Sequence, residues 1–344
     1  MTGARNQRVR VAVVGCGEFG RNHARVYRAM ESAQLAGVFD TDPARAAAFA
    51  QEFQTQTFLT LEAMQGKVDA ASVAVPTIAH AETGCRLMEL GIDALVEKPM
   101  AKDLAEADAL LAAAKKHARI LQVGHVERFN PAVLAVEPVV NRPLFFEAHR
   151  LGVFTPRSLD VDVIYDLMIH DLDILLALVG EPVIELKAVG IPVLSDKVDI
   201  AHARLEFSGG AVANVTASRV STERVRKVRF FQQHEYISLD YARRDALRVR
   251  VKTPAIQPGV QPEFAFEKLP GEDIEPLRAE LDAFLDAVRT RKEPKTNGTA
   301  GRAALELATR VMACIQEHAA RVQPTAGNPC VDLPAFAYPR KEGT

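Results

Sequence analysis

Apolar positions in this chain follow one pattern before Gly124 and another after it. Near the start, Val9, Val11, Val13 and Val14 form a short, nearly continuous apolar run. Such a run suits a strand buried on both faces of a parallel sheet. Short apolar runs recur at 34–39, 57–58, 69–75, 94–96 and 120–123. Between them, helical spacing is read over 21–30, 42–53, 61–64, 79–90 and 103–117. Asp42 followed by Pro43 predicts a helix cap with proline at the first helical position. Asp103-Leu104-Ala105-Glu106 reads as a capping box, and Gly91 as a helix stop. Strands alternating with helices predict a doubly wound α/β domain over residues 1–124.

Beyond Gly124 the pattern predicts one short helix within 128–140, entered through Asn130-Pro131, then a strand at 145–151. A helix over 162–179 ends at Gly180. Strands follow at 183–194, 198–207, 211–218, 225–232, 236–240 and 247–252, with a Gly209-Gly210 turn joining two of them. Alternation around such a turn argues for an antiparallel sheet. Two helices, 274–291 and 299–322, close the ordered pattern. The first carries Leu277, Leu281, Phe284, Leu285 and Val288 on one stripe. Residues 125–344 are thus read as a second, α+β domain, ending in a proline-bearing arm from Gln323.

The first run stops in Gly15-Cys16-Gly17-Glu18-Phe19-Gly20, which fits G-x-G-x-x-G between a strand and a helix. Gly15 permits the turn, Gly17 lets a pyrophosphate approach the backbone, and Gly20 lets the helix pack on the sheet. The helix N-terminus, where Glu18 and Phe19 lie, offers amides and partial positive charge to phosphates. The second strand ends in Asp40, 20 residues after Gly20, where an acid can accept both ribose hydroxyls of an adenosine. Asp40 would repel a 2′-phosphate, so NAD is expected over NADP. Arg45, on the next helix, is the residue that could argue otherwise.

Composition narrows the class. With 344 residues, two domains are expected. Lys plus Arg number 42 against 44 Asp plus Glu, for a net charge of −2, which excludes the strongly basic character of a nucleic-acid binder. No apolar run reaches the ~18 residues of a membrane helix. The start runs directly into the first strand, so no signal peptide is read and the cytoplasm is expected. Cys16, Cys85, Cys314 and Cys330 show neither C-x-x-C nor ligand spacing with histidine, so no metal site or disulfide framework is expected.

Ligands of a doubly wound sheet lie at the carboxyl ends of its strands. Those ends carry Thr77 with His80, Glu97 with Lys98, and His125 with Arg128. A lysine just past a buried strand can be partly desolvated and share protons with a substrate hydroxyl. On the helix over 162–179, Asp166 and His170 stand four apart on one face, with Asp173 three further on. A carboxylate one turn from an imidazole can fix its tautomer and raise its basicity.

Taken together, GCGEFG, Glu97-Lys98-Pro99 and Asp166-x-x-x-His170 resemble the glucose-fructose oxidoreductase / inositol dehydrogenase / MocA family over most of the chain. The resemblance implies a Rossmann domain followed by an open, mostly antiparallel sheet, with the active site between them. It implies that Lys98, Asp166 and His170 form the catalytic set, and that the product is a ketone made from a sugar hydroxyl. The family pattern has glycine two residues before the histidine, where this chain has Met168. Residues 124–133 and 154–174 are similar to a bacterial group within the family that oxidises the 3-hydroxyl of UDP-N-acetylglucosamine, feeding 2,3-diamino sugar synthesis for lipid A. On that reading His125, Arg128, Asn130 and Arg157 join the catalytic three around the substrate, the two arginines facing a diphosphate. A free-sugar or inositol dehydrogenase, and a non-catalytic cofactor-binding regulator, remain alternatives. An uncovered sheet face implies a homodimer or homotetramer.

Overall fold

The computed structural model describes residues 8–155, 161–252 and 262–322. Five strands build the first sheet: β1 (Val9–Val14), β2 (Ala33–Phe39), β3 (Ala70–Val73), β4 (Asp93–Glu97) and β5 (Leu121–Gly124). Their order is β2-β1-β3-β4-β5, and every pair is parallel. The strand expected at 57–58 is instead a single bridge from Thr57 to Val38. Helices α1 (Glu18–Ala29), α2 (Pro43–Phe53), α3 (His80–Glu89) and α4 (Leu104–His117) connect the strands. Asp42 caps α2 as its sequence predicts, accepting from the amides of Ala44 and Arg45. Of the capping box, Asp103 accepts from the Glu106 amide at 2.9 Å, while Glu106 turns to the amide of Lys102. The strand order reverses between β1 and β3, which opens a crevice at their carboxyl ends.

The second sheet has eight strands in the order β13-β12-β11-β10-β6-β9-β8-β7. They are β6 (Phe145–Val153), β7 (Val183–Ile191), β8 (Ile200–Phe207), β9 (Val212–Ser221), β10 (Val225–Gln232), β11 (Glu235–Asp240), β12 (Asp245–Val251) and β13 (Phe264–Leu269). β6 and β9 run parallel and the other pairs antiparallel. Short α5 (Pro131–Val136) stands between two 3-10 turns, so the single helix read over 128–140 is a broken one. α5, α6 (Ile169–Val179) and α8 (Gly298–Val322) cover one face of this sheet around Phe146, Phe207, Phe230 and Leu239.

α7 (Pro276–Thr290) returns to the first sheet. Its Leu281, Phe284 and Leu285 are fully buried with Val9, Val11 and Val13 of β1. α8 touches both cores, with Leu305 against the first and Val311 against the second. Residues from both sides of position 124 therefore hold the two sheets together, and the crevice of the first sheet opens toward the second. No helix among the described residues is long and apolar enough to cross a membrane.

Candidate active site

β1 delivers the glycine loop to the mouth of the crevice. Gly15 adopts φ +99°, and a Cβ there would lie 2.4 Å from the Ala74 carbonyl oxygen. A Cβ on Gly20 would lie 1.9 Å from the Gly15 oxygen. Nothing stands within 4 Å of where a Cβ on Gly17 would be. That open space belongs to a cavity of about 630 Å³, which Glu18, Phe19, Thr77 and His80 also line. No side chain caps α1, so its first amides are left for a ligand. A dinucleotide fits this cradle: room at Gly17 for the pyrophosphate, and Asp40 at the end of β2 on the same cavity wall.

Asp40 does more than face that cavity. One carboxylate oxygen accepts from the Cys16 amide at 2.8 Å, and the other from the Asp42 amide at 2.9 Å. The acid therefore holds the glycine loop in shape. Arg45 lies 3.2 Å from Asp40 and 3.8 Å from Asp42, so its charge is engaged by two carboxylates. Burial, and next the charge of Asp40, push the Cys16 thiol up to about 12, which leaves it protonated and unreactive.

Glu97 and Lys98 leave the end of β4 in different directions. Glu97 turns inward, where His23 Nε2 of α1 stands 2.8 Å from its carboxylate. His23 Nδ1 is 2.9 Å from Ser72 Oγ, itself 2.9 Å from the Tyr27 hydroxyl. Burial alone would raise the Glu97 carboxyl, but the His23 hydrogen bond and the nearby positive charges outweigh it and hold it below the usual range. A Cβ on Gly124 would meet this carboxyl at 2.9 Å, so a side chain at the end of β5 would press Glu97 away from His23. His80 is buried, with its ring nitrogens 2.9 Å from the carbonyl oxygens of Pro99 and Val75. It fastens the loop after β4 to the loop after β3, and burial lowers its pKa despite those carbonyls.

Lys98 points across the crevice. Its Nζ donates to the Asp166 carbonyl oxygen at 2.7 Å and to Asp166 Oδ1 at 3.3 Å. Asp166 reaches this position through a turn of π-helix, Ile164–Met168, that precedes α6. Single π turns are frequent at functional sites. Met168 ends the turn fully buried in the core of the second sheet. Asp166 is thus bonded to Lys98, and His170 Nδ1 is buried without a hydrogen-bond partner among the described residues. The pairing of Asp166 with His170 expected from their spacing is replaced by this one, because the π turn breaks the simple four-residue repeat.

His170 lines a second cavity of about 590 Å³ that shares Phe19, Glu97, Lys98 and Asp166 with the first. The two are halves of one cleft. Burial first, then the charges of Lys98, Arg150, His125 and Arg226, hold the His170 pKa well below its ordinary value. These surroundings favour the neutral imidazole.

Other residues anticipated around the substrate stand further back. Asn130 borders the second cavity, but it caps α5 through the Ala132 amide and donates to Glu127 and the Tyr241 carbonyl. His125 is buried with neither ring nitrogen hydrogen-bonded among the described residues, and its Nδ1 lies 3.9 Å from Asp173. Arg128 lies 3.6 Å from Asp173 and lines neither of these cavities. Arg157 lies outside the described residues. Sequence reasoning missed Arg150, which is buried and grips Asp171 through two nitrogens at 2.7 and 3.0 Å and Glu127 at 2.8 Å. It also missed Arg226, Arg244 and Tyr241 on the wall beside His170. Arg150 and Arg226 are marked only by alternation along strands whose pairing the sequence leaves open, and Tyr241 and Arg244 lie in the turn between β11 and β12, where no alternation marks them.

A cradle for a dinucleotide beside a neutral histidine and a lysine defines a nicotinamide-type oxidoreductase. The comparisons give the same class. The oxidoreductase family with NAD-binding Rossmann fold matches residues 9–125, and the GFO/IDH/MocA C-terminal domain matches residues 141–235. UDP-N-acetylglucosamine 3-dehydrogenase of Acidithiobacillus ferrooxidans is 38% identical over 309 residues, 90% of this chain and 97% of that protein. A solved structure of that enzyme superposes with a TM-score of 0.85 at 37% identity, covering 90% of this chain and 98% of the other. Myo-inositol dehydrogenase Hyg17 of Streptomyces leeuwenhoekii is 36% identical over 191 residues, 52% of this chain and 58% of that protein. This chain belongs to the Gfo/Idh/MocA family of oxidoreductases.

Proposed function

We propose that this protein oxidises the 3-hydroxyl of UDP-N-acetylglucosamine to the ketone with NAD, which would feed amino transfer toward a 2,3-diamino sugar of the lipid A type. One observation carries the chemistry: a neutral His170 and the Lys98 ammonium share the cleft that begins at the glycine loop. The substrate is supported by the likeness to a relative that this chain matches over 97% of its length. Bound NAD would supply the acceptor for the hydride leaving the sugar carbon. His170 takes the hydroxyl proton as general base. The ammonium of Lys98 has three donors. Asp166 engages two of them, and the third is directed to the reacting oxygen, where it stabilises the developing alkoxide. Asp166 then acts by positioning Lys98. Engagement of Arg45 by Asp40 and Asp42 removes the cation a 2′-phosphate would need, which favours NAD over NADP. The protein would work in the cytoplasm as a homodimer or homotetramer.

The test follows NADH formation with UDP-N-acetylglucosamine, free N-acetylglucosamine and myo-inositol. The highest kcat/KM is expected with the UDP-sugar. Faster oxidation of inositol or the free sugar would move the assignment to a free-polyol dehydrogenase. Tight NAD binding with no turnover of any of the three would favour a regulator.

A further inference from the structure

Four cations near the cleft have carboxylate partners. Lys98 is held by Asp166, Arg128 by Asp173, Arg150 by Asp171 and Glu127, and Arg25 by Glu275. Arg226 and Arg244 line the same cavity as His170, yet neither guanidinium has a hydrogen bond or ion pair with any described residue. Arg226 stands on β10 directly opposite Arg150 on β6. Like charges facing each other across an antiparallel pair are destabilising. The carboxylates that could relieve this, Glu127 and Asp171, are already bonded to Arg150. Arg244 follows the turn after β11, which Asp240 closes by accepting from the amides of Ala242 and Arg243. Its φ of +58° lies in the left-handed region that favours glycine. The chain thus keeps two unpaired arginines on the wall that also carries His170. Neither lines the cavity that begins at the glycine loop.

We propose that Arg226 and Arg244 together bind the diphosphate of the nucleotide-sugar substrate, and so select a nucleotide sugar over a free one. This rests on the reading of the substrate given above. Two guanidiniums can share a diphosphate through charge-assisted, bidentate hydrogen bonds, which a neutral polyol cannot offer. With the sugar ring at Lys98 and His170, the diphosphate would extend toward the second sheet, away from the cofactor. Arg128, engaged by Asp173, is then a supporting residue behind the cleft.

The experiment titrates UDP into the NAD-loaded protein by calorimetry, and measures KM and kcat for UDP-N-acetylglucosamine. Arg226→Met, Arg244→Met, the double variant and Arg226→Lys are compared with the unaltered chain. The double variant is expected to weaken UDP binding at least tenfold and to raise KM by a similar factor, with a smaller change in kcat. Arg226→Lys should recover part of the loss. NAD affinity should stay within twofold. Relieving the repulsion with Arg150 should leave the ligand-free melting temperature of Arg226→Met unchanged or higher, and a fall of several degrees would show a structural residue and overturn its assignment. If the unaltered protein binds UDP and turns over UDP-N-acetylglucosamine while the double variant keeps the same affinity and KM, the assignment to these arginines is wrong. If the unaltered protein does neither, the substrate reading itself fails.

Discussion

His170 is kept uncharged by its surroundings, and that fixes how the reaction should respond to pH. Burial and four neighbouring positive or ionisable groups push its pKa down. The proton-accepting form is the neutral one, so it persists as pH falls below the ordinary histidine value of about 6.5. At saturating NAD, the acidic limb of kcat/KM for sugar oxidation is expected below pH 6.5. A limb at or above that value would show that the imidazole is not held neutral. His170→Ala should lower kcat by about 10²–10⁴-fold, the usual worth of a positioned base, with NAD affinity unchanged in a fluorescence titration. Residues of this kind were legible because short motifs carry them: the three glycines, Asp40, Glu97-Lys98 and Asp166-x-x-x-His170. What the sequence could not show is who bonds to whom. Asp166 turns to Lys98, and Glu97 turns to His23 and through it toward Ser72 and Tyr27. These partners come from different strands and helices, so no local spacing reveals them.

At the scale of elements, periodicity found every strand of the first sheet, but it also promised one at 57–58 that shrinks to a single bridge. Two residues of β propensity cannot sustain a ladder beside β2. β13 (Phe264–Leu269), at the edge of the second sheet, was missed. The π turn before α6 left no trace in the pattern, since its extra residue changes backbone bonding and not composition. The stripe on α7 was legible, but not the sheet it meets. That helix also buries Glu280 completely, with neither carboxyl oxygen hydrogen-bonded among the described residues. Burial, then the charges of Glu97 and Asp173, raise its pKa well above the ordinary value. The folded protein therefore keeps this proton where the unfolded chain has released it. Stability contributed by the neutral group is full below the unfolded value of about 4.3 and is lost as pH rises above it. Glu280→Gln cannot titrate, so its melting temperature relative to the unaltered chain should rise between pH 4.5 and pH 8. A relative melting temperature that falls over this range would mean that the folded protein holds Glu280 as a partnered carboxylate.

Over the whole molecule, the first sheet is covered on both faces, whereas the second is covered by helices on one. Cross-strand register lines up Phe145, Phe231, Tyr236, Val249 and Phe266 in a row on the other face. Phe145 and Phe231 have ring centroids 5.9 Å apart, and Phe231 and Tyr236 5.1 Å. Phe266 is 72% exposed and Phe264 46%. A contiguous apolar row of this length on a solvent face is the kind of surface that marks an interaction site, and a second copy of the same chain would be the partner that a two-fold axis supplies. Neither cavity of the cleft opens through this row, so association would leave the cleft accessible. The unaltered protein should therefore sediment at two or four times the monomer mass. Phe231→Asp with Phe266→Asp should shift it toward the monomer, while NAD affinity changes little because the glycine loop lies in the other sheet. Sedimentation of the unaltered protein as a monomer at micromolar concentration would show that this face is left to solvent, and equal oligomer mass in the variant would place the contact elsewhere on the molecule.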